Sequence, residues 1–394
     1  MQKEQTGKHD LYGLGTILLF IALLVPWKVS AGEIPIGMST ALSGPSMALG
    51  NGVKLGVETY FKKINQAGGI NNNTIRLNAL DDGYEPDKCG PNMRKLIDED
   101  KVLAVIGNVG TPTAIVAVPI AAEKKTLLFG AFTGAGVLRK TPPDRYVINY
   151  RASYEEETAA MVDGFLAAGI KPEQIAFFTQ NDGYGDAGYQ GAIKALKARG
   201  YADAEKLAHG RYTRNTVNVE DALATILNAN PKAVIMVGAY KPCAAFIKTA
   251  KEMLPDTIYA NVSFVGSIPL AKELGPAGEG VVVTQVVPHF EANLPGVAEF
   301  RADLAKLSSG NDPDFTSLEG YLAAKIFIEG LKKAGPTPSR EEIIDAIEGL
   351  SNLDIGIGIP INFSKANHQA SHQVWPTIIK GGKFVVLNWA ELKR

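Results

Sequence analysis

Most of what announces an enzyme is missing from this chain. Its 394 residues include two cysteines and five histidines, too few for a disulfide framework and poor material for a metal centre. No G-x-S-x-G elbow, Walker loop, G-x-G-x-x-G after a strand or H-E-x-x-H occurs. Nucleophilic, phosphoryl-transfer, dinucleotide and zinc-hydrolase chemistries therefore have no motif to rest on, and no catalytic residue, cofactor or metal is expected. His368 and His372 stand four apart, a spacing that suits two ligands on a helix face. No carboxylate or third histidine accompanies them, and their surroundings read as strand or loop. An excess of one charge is missing too: 40 basic against 41 acidic side chains leave a net charge of −1. No basic stretch is interleaved with aromatics, so no nucleic-acid partner is expected.

What is present divides first near residue 31. Lys3 and Lys8 precede an apolar run from Leu11 to Trp27, and Val29, Ser30 and Ala31 supply the small residues a signal peptidase accepts. Gly13, Gly15, Thr16 and Pro26 interrupt the run, whereas a membrane anchor needs about 20 uninterrupted apolar residues. A cleavable leader over 1–31 is the expectation, with a mature chain from Gly32. The leader holds no cysteine for lipid attachment, which points to a free periplasmic protein. The rest is long enough for two domains, and 46% hydrophobic with 21% charged residues is an ordinary globular balance.

From Ile34 short β-rich runs alternate with helical stretches: IPIGMSTAL, then 52–66, TIRLNALDD, 91–99, VLAVIGNVG, 113–124 and TLLFGAF. A second series follows Arg151: helix 155–168, strand QIAFFTQ, helices 187–199 and 219–229, strand AVIMVGAY, helix 244–253 and strand SFVG. Such alternation predicts α/β architecture with two doubly wound parallel-sheet lobes. After GVVVTQVV come helices at 318–333 and 340–350, then β-like pieces around INFSKANHQ, VWPTIIK and KFVVLNW that must complete both lobes. The expected division is 32–151 with 286–372 for lobe 1, and 152–285 with 373–394 for lobe 2. Several crossings between lobes make a hinge. Cys89 and Cys243 fall in different lobes, so a disulfide would have to span the cleft; the sequence leaves that open.

Ligands of open α/β sheets sit beyond the carboxyl ends of the strands, where helix N-termini offer free amides to anions. After VLAVIGNV comes Gly110-Thr111-Pro112-Thr113, where Thr111 either caps the following helix or turns its hydroxyl, with nearby amides, to a carboxylate. The next strand ends in Gly130-Ala131-Phe132-Thr133-Gly134, small residues that let a ligand approach backbone, with the Thr133 hydroxyl beside them. On the second half, strands run out into Tyr184 and Tyr240, whose rings either cover a partly apolar ligand or pack the interface. Asp81 and Asp82 at a strand end read as a solvated terminus or, less plainly, as an acid/base pair.

The ordered segments IPIGMSTALSGP, NQAGGI, LDDGYEP, VIGNVGTPT, NDGYG and VGAY resemble the branched-chain amino-acid binding proteins of ABC transporters, with the type I periplasmic fold, over nearly all of the mature chain. The resemblance implies a ligand-carboxylate contact at Thr111 with Gly110 beside it, backbone and hydroxyl contacts at Ala131 and Thr133, and lid tyrosines at Tyr184 and Tyr240. Leu49 matches a position that packs against the ligand side chain, with Val109 and Phe132 nearby. Ile268 stands where amino-acid binders of this family place the acid that pairs with the ligand ammonium. An unpaired ammonium in a dry cleft costs several kcal/mol, so either another acid such as Glu155 takes over or the ligand has no such amine. The cysteine pair that some members form is absent, Tyr84 and Gly110 standing there instead. Implied partners are an amino acid or related carboxylate and an inner-membrane ABC permease, with the receptor a monomer; a periplasmic sensor of the same fold is the alternative.

Overall fold

The computed structural model describes Met1, Gln2, Gly7 and residues 32–393. The expected leader, with Lys3, Lys8, the apolar run and its Val29–Ala31 end, lies outside the described residues.

The chain begins with β1 (Glu33–Thr40), α1 (Met47–Gln66), β2 (Thr74–Asp81), α2 (Pro86–Arg94), β3 (Ala104–Ile106), α3 (Thr111–Glu123), β4 (Leu127–Phe129) and β5 (Val147–Ile148). These strands form one parallel sheet in the order β2-β1-β3-β4-β5. A second series follows: α4 (Tyr154–Ala167), β6 (Ile175–Gln180), α5 (Gly183–Ala198), β7 (His209–Tyr212), α6 (Glu220–Ala229), β8 (Ala233–Val237), α7 (Tyr240–Met253), β9 (Ile258–Asn261), α8 (Ser267–Leu274) and β10 (Val282–Gln285). The later elements are α9 (Pro295–Leu307), α10 (Phe315–Ala334), α11 (Arg340–Glu348), the short pair β11 (Leu353–Asp354) and β12 (Pro360–Ile361), and the hairpin β13 (Trp375–Lys380) and β14 (Lys383–Val386). The second sheet has the order β14-β13-β10-β9-β8-β6-β7.

Parallel strands covered by helices must bury both faces, and the sequence supplies that: every residue of β6, IAFFTQ, is buried. Each large apolar side chain so enclosed contributes roughly 1.5–3 kcal/mol. Helix starts are set locally. Ser153 accepts from the Glu156 amide at 3.2 Å while the Glu156 carboxylate accepts from the Ser153 amide at 2.6 Å, a capping box that opens α4. Helix α10 packs on α1 so closely that a Cβ on Gly56 would lie 2.0 Å from the Ser317 carbonyl oxygen. Thus residues distant in sequence cover the first sheet, while β13 and β14 extend the second.

Three connections join the two sheets' layers: β5 to α4, β10 to α9, and β12 to β13. The first and third run side by side. The Asn149 amide donates to the His368 carbonyl at 2.7 Å, the Ala370 amide to the Asn149 carbonyl at 3.0 Å and the Ser371 amide to the Tyr150 carbonyl at 2.8 Å.

The structure departs from the sequence reading at three strands. SFVG is a 3-10 turn at 263–265, and the neighbouring strand is the four-residue β9 just before it. β7, HGRY, lies where no strand is expected; it is too short and polar to show as an apolar run. The β10-β13-β14 edge is antiparallel, so the second sheet is mixed rather than purely parallel. Cys89 and Cys243 are free, buried thiols.

Candidate ligand-binding site

Sheet order decides where a site can form. β1 lies between β2 and β3, and β6 between β7 and β8, so the order in which strands are added across each sheet reverses at β1/β3 and β6/β8, and the crevice beyond those strand ends is where such sheets place ligands. The loops there open onto the N-termini of α3, α5 and α7. Gly183, the first residue of α5, faces α3: a Cβ on it would lie 3.8 Å from Thr111 Cγ2.

On the first side, Gly110 has φ +99°, and a Cβ there would meet the Tyr84 ring at 2.0 Å, so only glycine fits. Gly110 itself takes the N-cap position of α3, with Thr111 the first helical residue. Thr111 therefore does not cap its helix. Its hydroxyl instead meets that of Thr133 at 2.7 Å, while Thr113 turns back to the Val109 and Gly110 carbonyls at 2.5 and 2.9 Å. The two loops are zipped by Phe132 N–H to Asn108 O at 2.7 Å and Gly110 N–H to Phe132 O at 3.2 Å, which sets Gly110, Thr111, Ala131, Phe132 and Thr133 in one patch.

The second side contributes rings. Tyr184 donates to the Gly238 carbonyl at 3.3 Å, and burial raises its phenol well above the usual range. Phe264, in the turn after β9, has its centroid 4.5 Å from that of Tyr184, 5.5 Å from Phe132 and 5.8 Å from Tyr84, so one ring bridges the two sides. Tyr240 opens α7, and burial raises its phenol above the usual value. Gly266 lies between Leu49 and Tyr240: a Cβ there would come 2.6 Å from Leu49 and 3.6 Å from Tyr240. Leu49 thus meets the second side near Tyr240. Ile268 is half-buried on α8, just past this contact.

Three residues at the site escape sequence reasoning: Arg151, Tyr154 and Phe264. Arg151 is fully buried, with its guanidinium carbon 4.6 Å from the Phe132 ring centroid. Its Nη2 donates to Ser263 Oγ, but Nε and Nη1 have no hydrogen-bond partner. The nearest carboxylate oxygens are Glu319 Oε1, 3.4 Å from Nε, and Glu157 Oε1, 3.8 Å from Nη2. Glu157 is occupied elsewhere, accepting from the Ser263 amide at 2.7 Å, the Ser263 hydroxyl at 2.9 Å and the Thr284 hydroxyl at 2.6 Å. Burial pushes the Glu319 carboxyl up to about 7, against the pull of Arg151. Tyr154, also buried, lies near Thr133 without reaching hydrogen-bond geometry, and burial raises its phenol to about 12. The sequence signal for Arg151 is slight: it sits only at the boundary between the two series.

The other residues singled out in the sequence have partners within the chain. Glu155 is exposed and paired with Lys194. Asp81 holds the Leu42 and Gly83 amides at 2.9 Å and the Ser43 hydroxyl at 2.5 Å; partial burial opposes its charge, yet these bonds keep its carboxyl below the usual value. Asp82 is buried, accepts from Ser39 Oγ at 2.7 Å and the Tyr84 amide at 2.9 Å, and is pushed up to about 6 by that burial. His368 bonds the Val147 carbonyl at 2.8 Å and Glu348 at 3.1 Å, whereas His372 bonds Glu156 at 2.5 Å. Among the described residues no three metal-ligating side chains cluster.

A family described as periplasmic binding protein matches residues 33–383. The chain belongs to that family. A crystal structure of a possible leucine/isoleucine/valine-binding protein from Rhodopirellula baltica is 48% identical, with TM-score 0.90, over 92% of this chain and 98% of that one. A substrate-binding periplasmic protein from Ralstonia solanacearum is 28% identical, with TM-score 0.82, over 90% and 99% of the two chains. The Leu/Ile/Val-binding protein BraC3 of Rhizobium johnstonii is 24% identical over 347 residues, 86% of this chain and 89% of that one. The fold is therefore the type I periplasmic binding fold, and the family is one of binding proteins rather than enzymes. Among the described residues no helix of this periplasmic binding protein is long and apolar enough to cross a membrane.

Proposed function

We propose that this periplasmic binding protein is the monomeric substrate receptor of an ABC importer, exported by the leader over 1–31, and that it closes on a small carboxylate-bearing ligand and presents it to an inner-membrane permease. In this reading 32–151 with 286–372 act as one lobe and 152–285 with 373–394 as the other. The observation that carries it is the convergence of α3, α5 and α7 N-termini on a buried interface without hydrolytic machinery. Helix N-termini favour negative charge. Thr111, Thr133, Tyr184 and Tyr240 are each at most 4% exposed, so a ligand reaches them only when the layers part, and paired connections such as 149–151 with 368–371 suit a hinge. Gly110, Ala131 and Thr133 supply backbone and hydroxyl contacts, with Leu49 and Phe132 as apolar neighbours. No bond is made or broken; binding shifts an open-to-closed equilibrium that the permease reads.

The test is a thermal-shift screen of the mature protein, refolded to remove carried ligand, against amino acids, amine-free carboxylates, aromatic acids and amides. A ligand that binds only the folded state raises the midpoint, and Thr111→Ala and Tyr240→Ala should weaken that rise. A stabilising ligand whose effect both substitutions leave unchanged would put the site elsewhere.

A further inference from the structure

We infer that Arg151 is the cation that receives the ligand carboxylate, and that the cleft built around it selects acids lacking an ammonium group over amino acids. The assignment rests on the reading of this interface as the ligand site and names the class of molecule that it takes.

Arg151 is fully buried, yet two of its three guanidinium nitrogens make no hydrogen bond. A buried, charged donor without a partner is destabilising and uncommon, and where one occurs a missing acceptor is the natural explanation. The internal acceptors do not fill that role: Glu157 takes three bonds from Ser263 and Thr284, and Glu319 stands 3.4 Å from Nε out of hydrogen-bond geometry. The groups around the guanidinium complete a site for an anion. The Thr111 and Thr133 hydroxyls bond each other and leave one O–H free to donate, the buried Tyr154 hydroxyl is unpartnered beside Thr133, and the face of Phe132 lies under the guanidinium. A planar fork of N–H donors matches a carboxylate better than any other side chain does. The rings of Phe132, Tyr184 and Phe264 offer an apolar wall for the rest of the molecule.

The buried acids leave no place for an ammonium. Among the described residues the buried carboxylates are Asp82, Glu157, Glu319 and Glu348. Asp82 is held by Ser39 and Tyr84, Glu348 by Arg145 and His368, and Glu157 by Ser263 and Thr284. Only Glu319 makes no hydrogen bond, and its nearest charge is Arg151, which an ammonium would face as a like charge.

Titration calorimetry on the refolded full-length mature protein tests this with matched probes: 4-methylpentanoate against leucine, and 3-phenylpropanoate against phenylalanine. At least one acid should bind about tenfold or more tightly than its amino acid. Arg151→Gln should weaken that acid by about a hundredfold, and Arg151→Lys, which keeps the charge without the fork, by an intermediate factor. The double variant Arg151→Gln with Glu319→Gln removes both charges, and its loss of acid affinity supports the assignment should the single variant fold poorly. Unchanged acid affinity in a folded Arg151→Gln protein overturns the assignment alone, as does an amino acid that binds more tightly than its acid and is lost in Glu319→Gln. A wild-type protein that binds neither acids nor amino acids overturns the reading of the site as well.

Discussion

Arg145 and Arg151 stand six residues apart in sequence, on either side of β5, and meet opposite fates. Arg145 is partly exposed and reaches three carboxylates: Glu348 at 2.8 Å, Asp345 at 2.7 Å and Glu341 at 3.1 Å. Partial burial opposes its charge, and the three carboxylates more than offset that, holding its pKa above the usual value. It clamps α11 to the turn before β5, and nothing more is required of it. Arg151 is fully buried with a single hydrogen bond, to a neutral hydroxyl. The well-paired arginine is on the surface, where pairing matters least, and the poorly paired one is inside, where it matters most. A fold does not retain that arrangement for its own stability; it fits a binding site whose last partner arrives with the ligand.

The comparison breaks if the two arginines respond alike to removal. Arg151→Met takes from the buried Glu157 and Glu319 the cation nearest to both, leaving Glu319 only the charge of Arg139, and should lower stability by about 3–5 kcal/mol in urea unfolding; a loss below about 1 kcal/mol would mean that the guanidinium is not needed as a counter-charge. Asp82 is a third buried charge, satisfied by neutral donors alone. Its folded-state pKa of about 6 exceeds that of the unfolded chain, so the native state keeps a proton that the unfolded state has lost. The resulting cost is absent near pH 4, grows as pH rises and is complete above about pH 6. Asp82→Asn should therefore add about 3 kcal/mol at pH 7 and almost nothing at pH 4, by thermal unfolding at the two pH values. A gain equal at both would show that ionisation is not the cause.

Gly110→Ala sharpens the polar side of the site, since it strains a residue at φ +99° and drives a methyl into the Tyr84 ring. The expected loss is about 2 kcal/mol of stability together with weaker ligand binding; a protein with wild-type stability and affinity would show that the loop has room to relax. The smallest effect belongs to Arg145→Met, about 1 kcal/mol in urea with ligand affinity unchanged. A change of affinity there would mean that the clamp is coupled to the cleft.

Much of this was legible in the sequence for physical reasons. Runs such as VLAVIGNV and QIAFFTQ are largely apolar because parallel strands are buried on both faces, and the loops that follow them are rich in glycine and small polar residues. The patch of Gly110, Thr111, Ala131, Phe132 and Thr133 could be named from its place at the strand ends and from the family resemblance. Arg151 could not, because what marks it is two guanidinium nitrogens without a hydrogen bond. Ser263, Glu157 and Glu319 come from a turn and two helices far apart in the chain, and only their positions in space show that none of them fully engages the guanidinium. Phe264 was hidden by its neighbours: Ser263-Phe264-Val265 has strand composition, and its 3-10 turn is set by tertiary packing of the ring between Tyr84, Phe132 and Tyr184.

The most direct measurement is the affinity of the ligand-free wild-type protein for a carboxylic acid and for the amino acid that differs from it only by the ammonium group. A stoichiometric acid complex, with the amino acid about tenfold or more weaker, is the result the account predicts. An amino acid bound more tightly than its amine-free analogue would contradict it, and would mean that an acid in this cleft, Glu319 first among them, pairs with the ammonium after all.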